Sequence, residues 1–169
     1  VLIEMAAFKS VINNLGGIYV QAETNLTDYC EFSNPDRGVC SLGPGQVYMD
    51  ADDALWYARS RVTTNDIDRA RRTQEVIKAI FNRLMSLDAI LKAPDLYKAY
   101  TTYVETDIDL GTVVSMLPLA KTIYENSDVR NYVIGFDYAY SWITTSGASV
   151  LVPDKTAIQE LMIEALEWK

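Results

Sequence analysis

Asp66-Ile67-Asp68-Arg69-Ala70-Arg71-Arg72-Thr73-Gln74-Glu75-Val76-Ile77-Lys78-Ala79-Ile80-Phe81-Asn82-Arg83-Leu84 is the most regular stretch of this chain. Thr73, Val76, Ile77, Ile80, Phe81 and Leu84 recur at helical spacing and predict one inward-facing apolar stripe. Asp66 stands where an N-cap is expected. Upstream, Asp50 is placed to cap a short helix through Ala54, Leu55 and Trp56. Phe8, Val11, Ile12 and Leu15 mark an earlier helix, from Met5, that Gly16-Gly17 stops. That helix lies between the apolar strand segments Val1–Ile3 and Ile18–Val20. The polar stretch from Gln21 to Gln46 reads as a long loop, functional or pinned by a disulfide.

Downstream, Pro94 is placed to open a helix with Leu96, Ala99, Tyr100 and Tyr103. Thr106-Asp107-Ile108-Asp109 reads as a cap for a helix through Val113, Val114, Leu117 and Ile123, which Pro118 kinks or shortens. Tyr132–Phe136, Tyr140–Thr144 and Val150–Val152 read as strands, with a turn at Ser146-Gly147. Pro153-Asp154 then starts a last helix with Ile158, Leu161, Met162, Ala165 and Leu166 inward. Strands alternating with helices predict an α/β fold in one domain spanning residues 1–169. At 169 residues and 49 % hydrophobic, the chain is long and apolar enough for one core.

Composition excludes several chemistries. Histidine is absent, which removes the Ser-His-Asp triad, the Cys-His dyad and His-ligated zinc or iron. A net charge of −8 argues against a general nucleic-acid binder, whose affinity rests on neutralising phosphates. No apolar run approaches the roughly 18 residues of a membrane span. Cys30 and Cys40 are the only cysteines. Their spacing is not that of a redox C-x-x-C helix, and two thiolates without His make a poor zinc site. On the residues alone, two unpaired thiols and a disulfide in an exported protein both stay open.

The charge is unevenly spread. Between Arg59 and Lys78 six bases face three acids, a local +3 that leaves −11 for the rest of the chain. A basic island on an acidic chain points to one anionic ligand rather than a polyanion track. Arg69 and Arg72 lie three apart and continue the predicted stripe, where an unpaired charge is costly. They need counter-charge, either from Asp66 and other acids in a structural network or from a bound phosphate or carboxylate. Arg59 and Arg61, at alternate positions just upstream, are placed to close the far side of such a pocket. Arg71 is expected on the opposite face, in an ordinary surface pair with Glu75.

Ala54-Leu55-Trp56-Tyr57-Ala58-Arg59-Ser60-Arg61, a short loop, then Asp66-Ile67-Asp68-Arg69-Ala70-Arg71-Arg72-Thr73-Gln74 resembles the signature of the LytR-CpsA-Psr family. Leu15-Gly16-Gly17-Ile18, Thr106-Asp107-Ile108 and Val152-Pro153-Asp154 are similar to its flanking segments. Ala51, Ile67 and Thr73 depart from the pattern, which has Gly, an aromatic residue and Gln there. The resemblance covers the carboxy-terminal two-thirds of the family's domain. It implies an α-β-α layered sandwich around a mixed central sheet, incomplete at the amino-terminal end. Val1, opening inside a strand, agrees with a fragment, a processed form or a trimmed chain.

The function the resemblance implies is a phosphotransferase on the extracytoplasmic face of a bacterial cell membrane. Such an enzyme moves a glycopolymer with its phosphate from a polyprenyl-pyrophosphate carrier to a peptidoglycan hydroxyl. It implies Arg59, Arg61, Arg69, Arg72 and Gln74 as phosphate ligands and Asp66 as the acid that caps the helix and orients an arginine. It further implies Mg²⁺, catalytic residues upstream of Val1 with no metal ligands in this chain, and an upstream membrane anchor. The isolated chain is then expected to show no transferase activity. An extracytoplasmic setting favours a Cys30–Cys40 disulfide. The alternative reading is a non-catalytic polyprenyl-phosphate-binding module or regulator of the cell envelope. A weaker one is a cytosolic sugar-phosphate binder.

Overall fold

The computed structural model describes residues 2–30, 38–61, 64–86, 97–98, 101–102, 104–105, 107–126, 130 and 132–167. The sequence predicts one domain; close packing gathers into two units, Val1–Val129 and Arg130–Lys169, each described by itself. Pro94, Leu96, Ala99, Tyr100 and Tyr103 of the next predicted helix lie outside the described residues, while Tyr97, Lys98, Thr101 and Thr102 within its span are helical.

The first unit opens with β1 (Leu2–Ile3) and α1 (Met5–Leu15). Helix α1 ends as predicted at Gly16-Gly17, whose φ angles are 73° and 87°. Gly16 N–H bonds to Asn13 O and Gly17 N–H to Ile12 O, a closure that needs left-handed backbone. Gly17 answers a second demand as well: the ring of Tyr48 lies where a Cβ would stand. Tyr48 Oη donates to Gly16 O at 3.1 Å.

The predicted strand Ile18–Val20 is β2 (Ile18–Ala22), and where a loop is predicted for residues 21–46 three more strands follow: β3 (Leu26–Tyr29), β4 (Val39–Leu42) and β5 (Gly45–Met49). β2 pairs antiparallel with β5 from Ile18↔Met49 to Ala22↔Gly45, and β3 with β4 from Leu26↔Leu42 to Tyr29↔Val39. In β3, Leu26 and Asp28 turn inward while Thr27 and Tyr29 face out, so each face mixes an apolar or aromatic residue with a polar one and no hydrophobic alternation marks the strand. At the top of β3–β4, Cys30 and Cys40 form a disulfide with Cα atoms 5.2 Å apart. We expect reduction to cost about 2–3 kcal/mol by releasing the short loop in the unfolded chain. Urea midpoints with and without reductant measure that loss, and thiol titration of denatured, unreduced protein should find no free thiol.

Asp50 caps α2 (Ala51–Arg59), accepting from Asp52 N–H and Asp53 N–H at 2.9 Å each. The long helix is α3 (Asp66–Met85), and its inward face is the predicted one in part: Val76 is buried, and Ile80 and Leu84 pack against the core. Arg72, Glu75, Val76 and Ala79 are buried, whereas Thr73 is exposed and Ile77 is 59 % exposed. Arg72 continues the inward face as its spacing predicts, and Glu75 joins it because it finds buried partners, which apolar periodicity counts as outward. Val76 and Ala79 join Ile12, Leu15, Ile18, Val20 and Met49 in the core between α1, α2, α3 and the inner face of β2.

β6 (Val104–Glu105) pairs antiparallel with β1. Asp109 caps α4 (Leu110–Ser115), accepting from Thr112 N–H at 2.9 Å. The predicted Pro118 helix is divided: α4 stops at Ser115 and α5 runs Leu117–Asn126, with Pro118 in the first turn, where its missing N–H costs nothing.

In the second unit, residues 132–135 are not a strand. A 3₁₀ turn, Phe136–Tyr138, leads into β7 (Ala139–Ile143), which pairs antiparallel with β8 (Ser149–Pro153). Asp154 starts α6 (Lys155–Glu167) by accepting from Thr156 N–H and Ala157 N–H at 3.0 and 3.1 Å. Leu161 is buried, while Met162 and Leu166, expected inward, are 48 % and 77 % exposed. The chain thus has the helix-and-strand architecture read from its sequence, and every ladder among the described residues is antiparallel. No helix among those residues is long and apolar enough to cross a membrane.

Candidate functional site

The arginines gather where α2 ends and α3 begins. Asn65 caps α3, accepting from Asp68 N–H at 2.9 Å, so Asp66 is not the cap but the first helical residue. Asn and Asp cap about equally well, and the helix takes the earlier of the two. Released from capping, the Asp66 carboxylate faces two guanidiniums, Arg61 Nε at 3.0 Å and Arg69 Nη2 at 3.5 Å. It stands in the first turn, where the helix dipole also favours negative charge. All three side chains are solvent-accessible, at 60 % for Arg61, 39 % for Arg69 and 62 % for Asp66. One carboxylate therefore serves two cations, and exposed pairs of this kind contribute about 0–1 kcal/mol. A phosphate brings more charge and more acceptor oxygens than Asp66 does.

Arg72 lies deeper, only 1 % exposed. Its Nη2 donates to Ser60 O and, at 3.1 Å, to Thr64 Oγ1. Its guanidinium carbon stands 5.8 Å from the centre of the Tyr57 ring, a cation–π distance. Nε has no hydrogen-bond partner. Burial pushes the Arg72 pKa down from the ordinary arginine value. Arg59, exposed at the end of α2, contacts Met5 Sδ through Nη1. Gln74 is half-buried on α3.

Arg71 is not the outward surface residue the helical spacing predicts. It is 17 % exposed and reaches Glu75 Oε1, Asp68 Oδ1 at 3.7 Å, Glu23 Oε2 at 3.8 Å and Thr24 Oγ1 at 2.7 Å. Glu75 is itself buried, and its other oxygen accepts the Tyr57 hydroxyl at 2.5 Å. Burial opposes charge on Arg71, yet Glu75 more than offsets it and holds the guanidinium above its ordinary pKa. Burial first, and then Glu75, raise the pKa of the Tyr57 phenol well above the usual tyrosine value.

This raised phenol gives stability a direction with pH. Below about pH 10 Tyr57 is protonated in folded and unfolded chains alike. Above it the unfolded phenol loses its proton while the folded one keeps it, so stability is full below about pH 10 and declines as pH rises further. Melting temperatures from pH 8 to pH 11 should fall at the alkaline end, and less steeply in Tyr57→Phe. Equal slopes in the two proteins would show that Tyr57 does not carry the effect.

The site is thus a pair of accessible guanidiniums at a helix start, with a third cation behind them. Guanidiniums stay charged and donate hydrogen bonds, so this arrangement is suited to an anionic ligand rather than to moving protons. The sequence model of the LytR_cpsA_psr family matches residues 1–165. The chain belongs to the LytR_cpsA_psr family. It is 24 % identical over 132 residues to the polyisoprenyl-teichoic acid–peptidoglycan teichoic acid transferase TagT of Bacillus subtilis, covering 78 % of this chain and 40 % of that protein. To the similarly named TagU of Bacillus licheniformis it is 30 % identical over 108 residues, covering 63 % and 32 %.

Among solved structures of similar fold, B. subtilis TagV superposes with a TM-score of 0.70 at 20 % identity, covering 99 % of this chain and 63 % of that one. TagT bound to LIIa-WTA superposes with a TM-score of 0.65 at 19 % identity, covering 96 % and 57 %. The chain spans less than half the length of these two curated relatives and less than two thirds of these two solved chains.

Of the arginines singled out in this LytR_cpsA_psr chain, the structure joins Arg61 and Arg69 through Asp66 and ties Arg72 to the backbone carbonyl just before Arg61. Tyr57, Arg71 and Glu75 were missed as a unit. Their signal was present as the i, i+4 pair, but spacing does not show on which side a pair is buried.

Proposed function

We propose that this chain is the phosphate-binding part of a cell-wall glycopolymer phosphotransferase. The ligand is a polyprenyl-pyrophosphate-linked glycan, and glycan phosphate passes to a peptidoglycan hydroxyl. The observation that carries the reading is the pair Arg61 and Arg69, both accessible and sharing Asp66 as their one ion-pair partner among the described residues, with buried Arg72 one turn along α3 from Arg69. Phosphoryl transfer needs positioning and stabilisation of spread negative charge, which converging guanidinium forks supply. The names of TagT and TagU, teichoic acid transferases acting between a polyisoprenyl carrier and peptidoglycan, support the same substrate class. An extracytoplasmic, membrane-anchored setting belongs to this proposal, and the disulfide suits an oxidising compartment.

In this reading Arg59, Arg61 and Arg69 meet phosphate oxygens, Gln74 is a further candidate donor, and Arg72 adds charge from behind. Mg²⁺ belongs to the proposal as a partner of the phosphates, held by groups other than the described residues. Among those residues no three Cys, Asp or Glu gather where a metal ion would sit. The described residues do not fit the metal.

The test is a titration of the chain with geranylgeranyl phosphate and, in parallel, geranylgeraniol in the same detergent micelles. The phosphate should bind at least about 10-fold more tightly, because one charge-assisted hydrogen bond contributes about 1.5–3 kcal/mol. Equal affinity for the alcohol would overturn the phosphate assignment.

A further inference from the structure

Glu75 stands one helical turn from two arginines, Arg72 at i−3 and Arg71 at i−4, and both spacings allow an ion pair. It is almost wholly buried, so which arginine it neutralises matters far more than on a surface. The structure shows a definite choice. Oε1 takes Arg71 and Oε2 takes the Tyr57 hydroxyl, while no carboxylate among the described residues lies within ion-pair distance of Arg72. Among the described residues Arg72 bonds to a carbonyl and a hydroxyl and lies over the Tyr57 ring, and its Nε has no hydrogen-bond partner; Asp68 and Glu75 act on it through space only.

We propose that Tyr57 is a positioning residue that directs Glu75 to Arg71 and so keeps Arg72 free of a direct carboxylate partner for a phosphate ligand. The inference rests on the phosphate-binding reading above. Tyr57 does this with its two ends. The hydroxyl holds the Glu75 oxygen that would otherwise turn toward Arg72, and the ring receives the guanidinium without cancelling its charge. Arg72 need not touch the ligand. It lies one turn along α3 from Arg69 and bonds to the carbonyl preceding Arg61, so its field reaches a phosphate held by that pair through poorly screening protein. Were Glu75 to pair with Arg72 instead, its negative charge would lie directly against the guanidinium that backs the site.

Geranylgeranyl phosphate binding and thermal melts on four proteins decide the matter: the chain itself, Tyr57→Phe, Glu75→Gln and the double variant. Tyr57→Phe should bind about 10-fold more weakly, equivalent to about 1.4 kcal/mol, with a melting temperature within a few degrees of the parent. Glu75→Gln should bind at least as tightly as the parent, since no carboxylate is then left to redirect. In that background Tyr57→Phe should change affinity less than about 2-fold. A merely structural tyrosine would weaken both backgrounds equally. Parent-like binding by Tyr57→Phe, a double variant as weak as Tyr57→Phe, or weaker binding by Glu75→Gln would each overturn the inference. Should Tyr57→Phe fail to fold, the Glu75→Gln affinity still decides. Failure of the parent to prefer the phosphate over geranylgeraniol is a different result, and it removes the phosphate-binding reading itself.

Discussion

Arg71→Ala should lower the folding stability of this chain by about 3 kcal/mol, although spacing alone makes it a surface residue of little consequence. Breaking a buried ion pair by removing one partner costs about 3–5 kcal/mol, because the remaining charge is left without compensation. Here that charge is Glu75, whose side chain is 8 % exposed. The low end applies because the Tyr57 hydroxyl still holds one oxygen and Arg72 lies one turn away. An exposed i, i+4 pair would contribute only a few tenths of a kcal/mol. Urea denaturation separates the two cases cleanly, and a midpoint unchanged by Arg71→Ala would show that the Tyr57–Glu75–Arg71 group is not structural.

The opposite pattern is expected at the surface pair. Removing both Arg61 and Arg69 as alanines should weaken geranylgeranyl phosphate binding by at least about 100-fold. Each charge-assisted hydrogen bond to the phosphate contributes about 1.5–3 kcal/mol, and two are lost. The melting temperature should hardly move, since both arginines are exposed and share one carboxylate in pairs contributing about 0–1 kcal/mol each. Unchanged affinity in the double variant would remove Arg61 and Arg69 from the binding site, whatever its effect on stability.

The contrast between these substitutions shows what the sequence disclosed. Glycine pairs, N-cap residues and long apolar helices announce themselves locally, so α1, its stop at Gly16-Gly17, the Asp50 and Asp109 caps and the existence of α3 were legible. The strands of residues 21–46 were not. They are short, half polar, and organised by pairing with each other rather than by any run of their own. The basic island was legible as composition and the inward place of Arg72 from its spacing, but the burial of Arg71 and the exposure of Arg69 were not. Arg69, Arg71 and Arg72 sit on adjacent faces of one helix, and hydropathy cannot tell a buried arginine with partners from an exposed one. What separates them is Tyr57, twelve to fifteen residues upstream on α2, which tertiary packing alone brings to Glu75.

The contact between Gly17 and Tyr48 has an asymmetric consequence for how the two positions drift. Gly17 is required first by its own backbone, at a φ of 87° that closes α1. The aromatic ring then occupies space that the glycine already left empty. Losing Tyr48 therefore does not license a side chain at position 17, whereas a side chain at position 17 would have to evict the ring as well as strain the turn. In lineages descending from this chain, position 48 can wander while position 17 stays fixed, and the tyrosine is a lodger rather than a support.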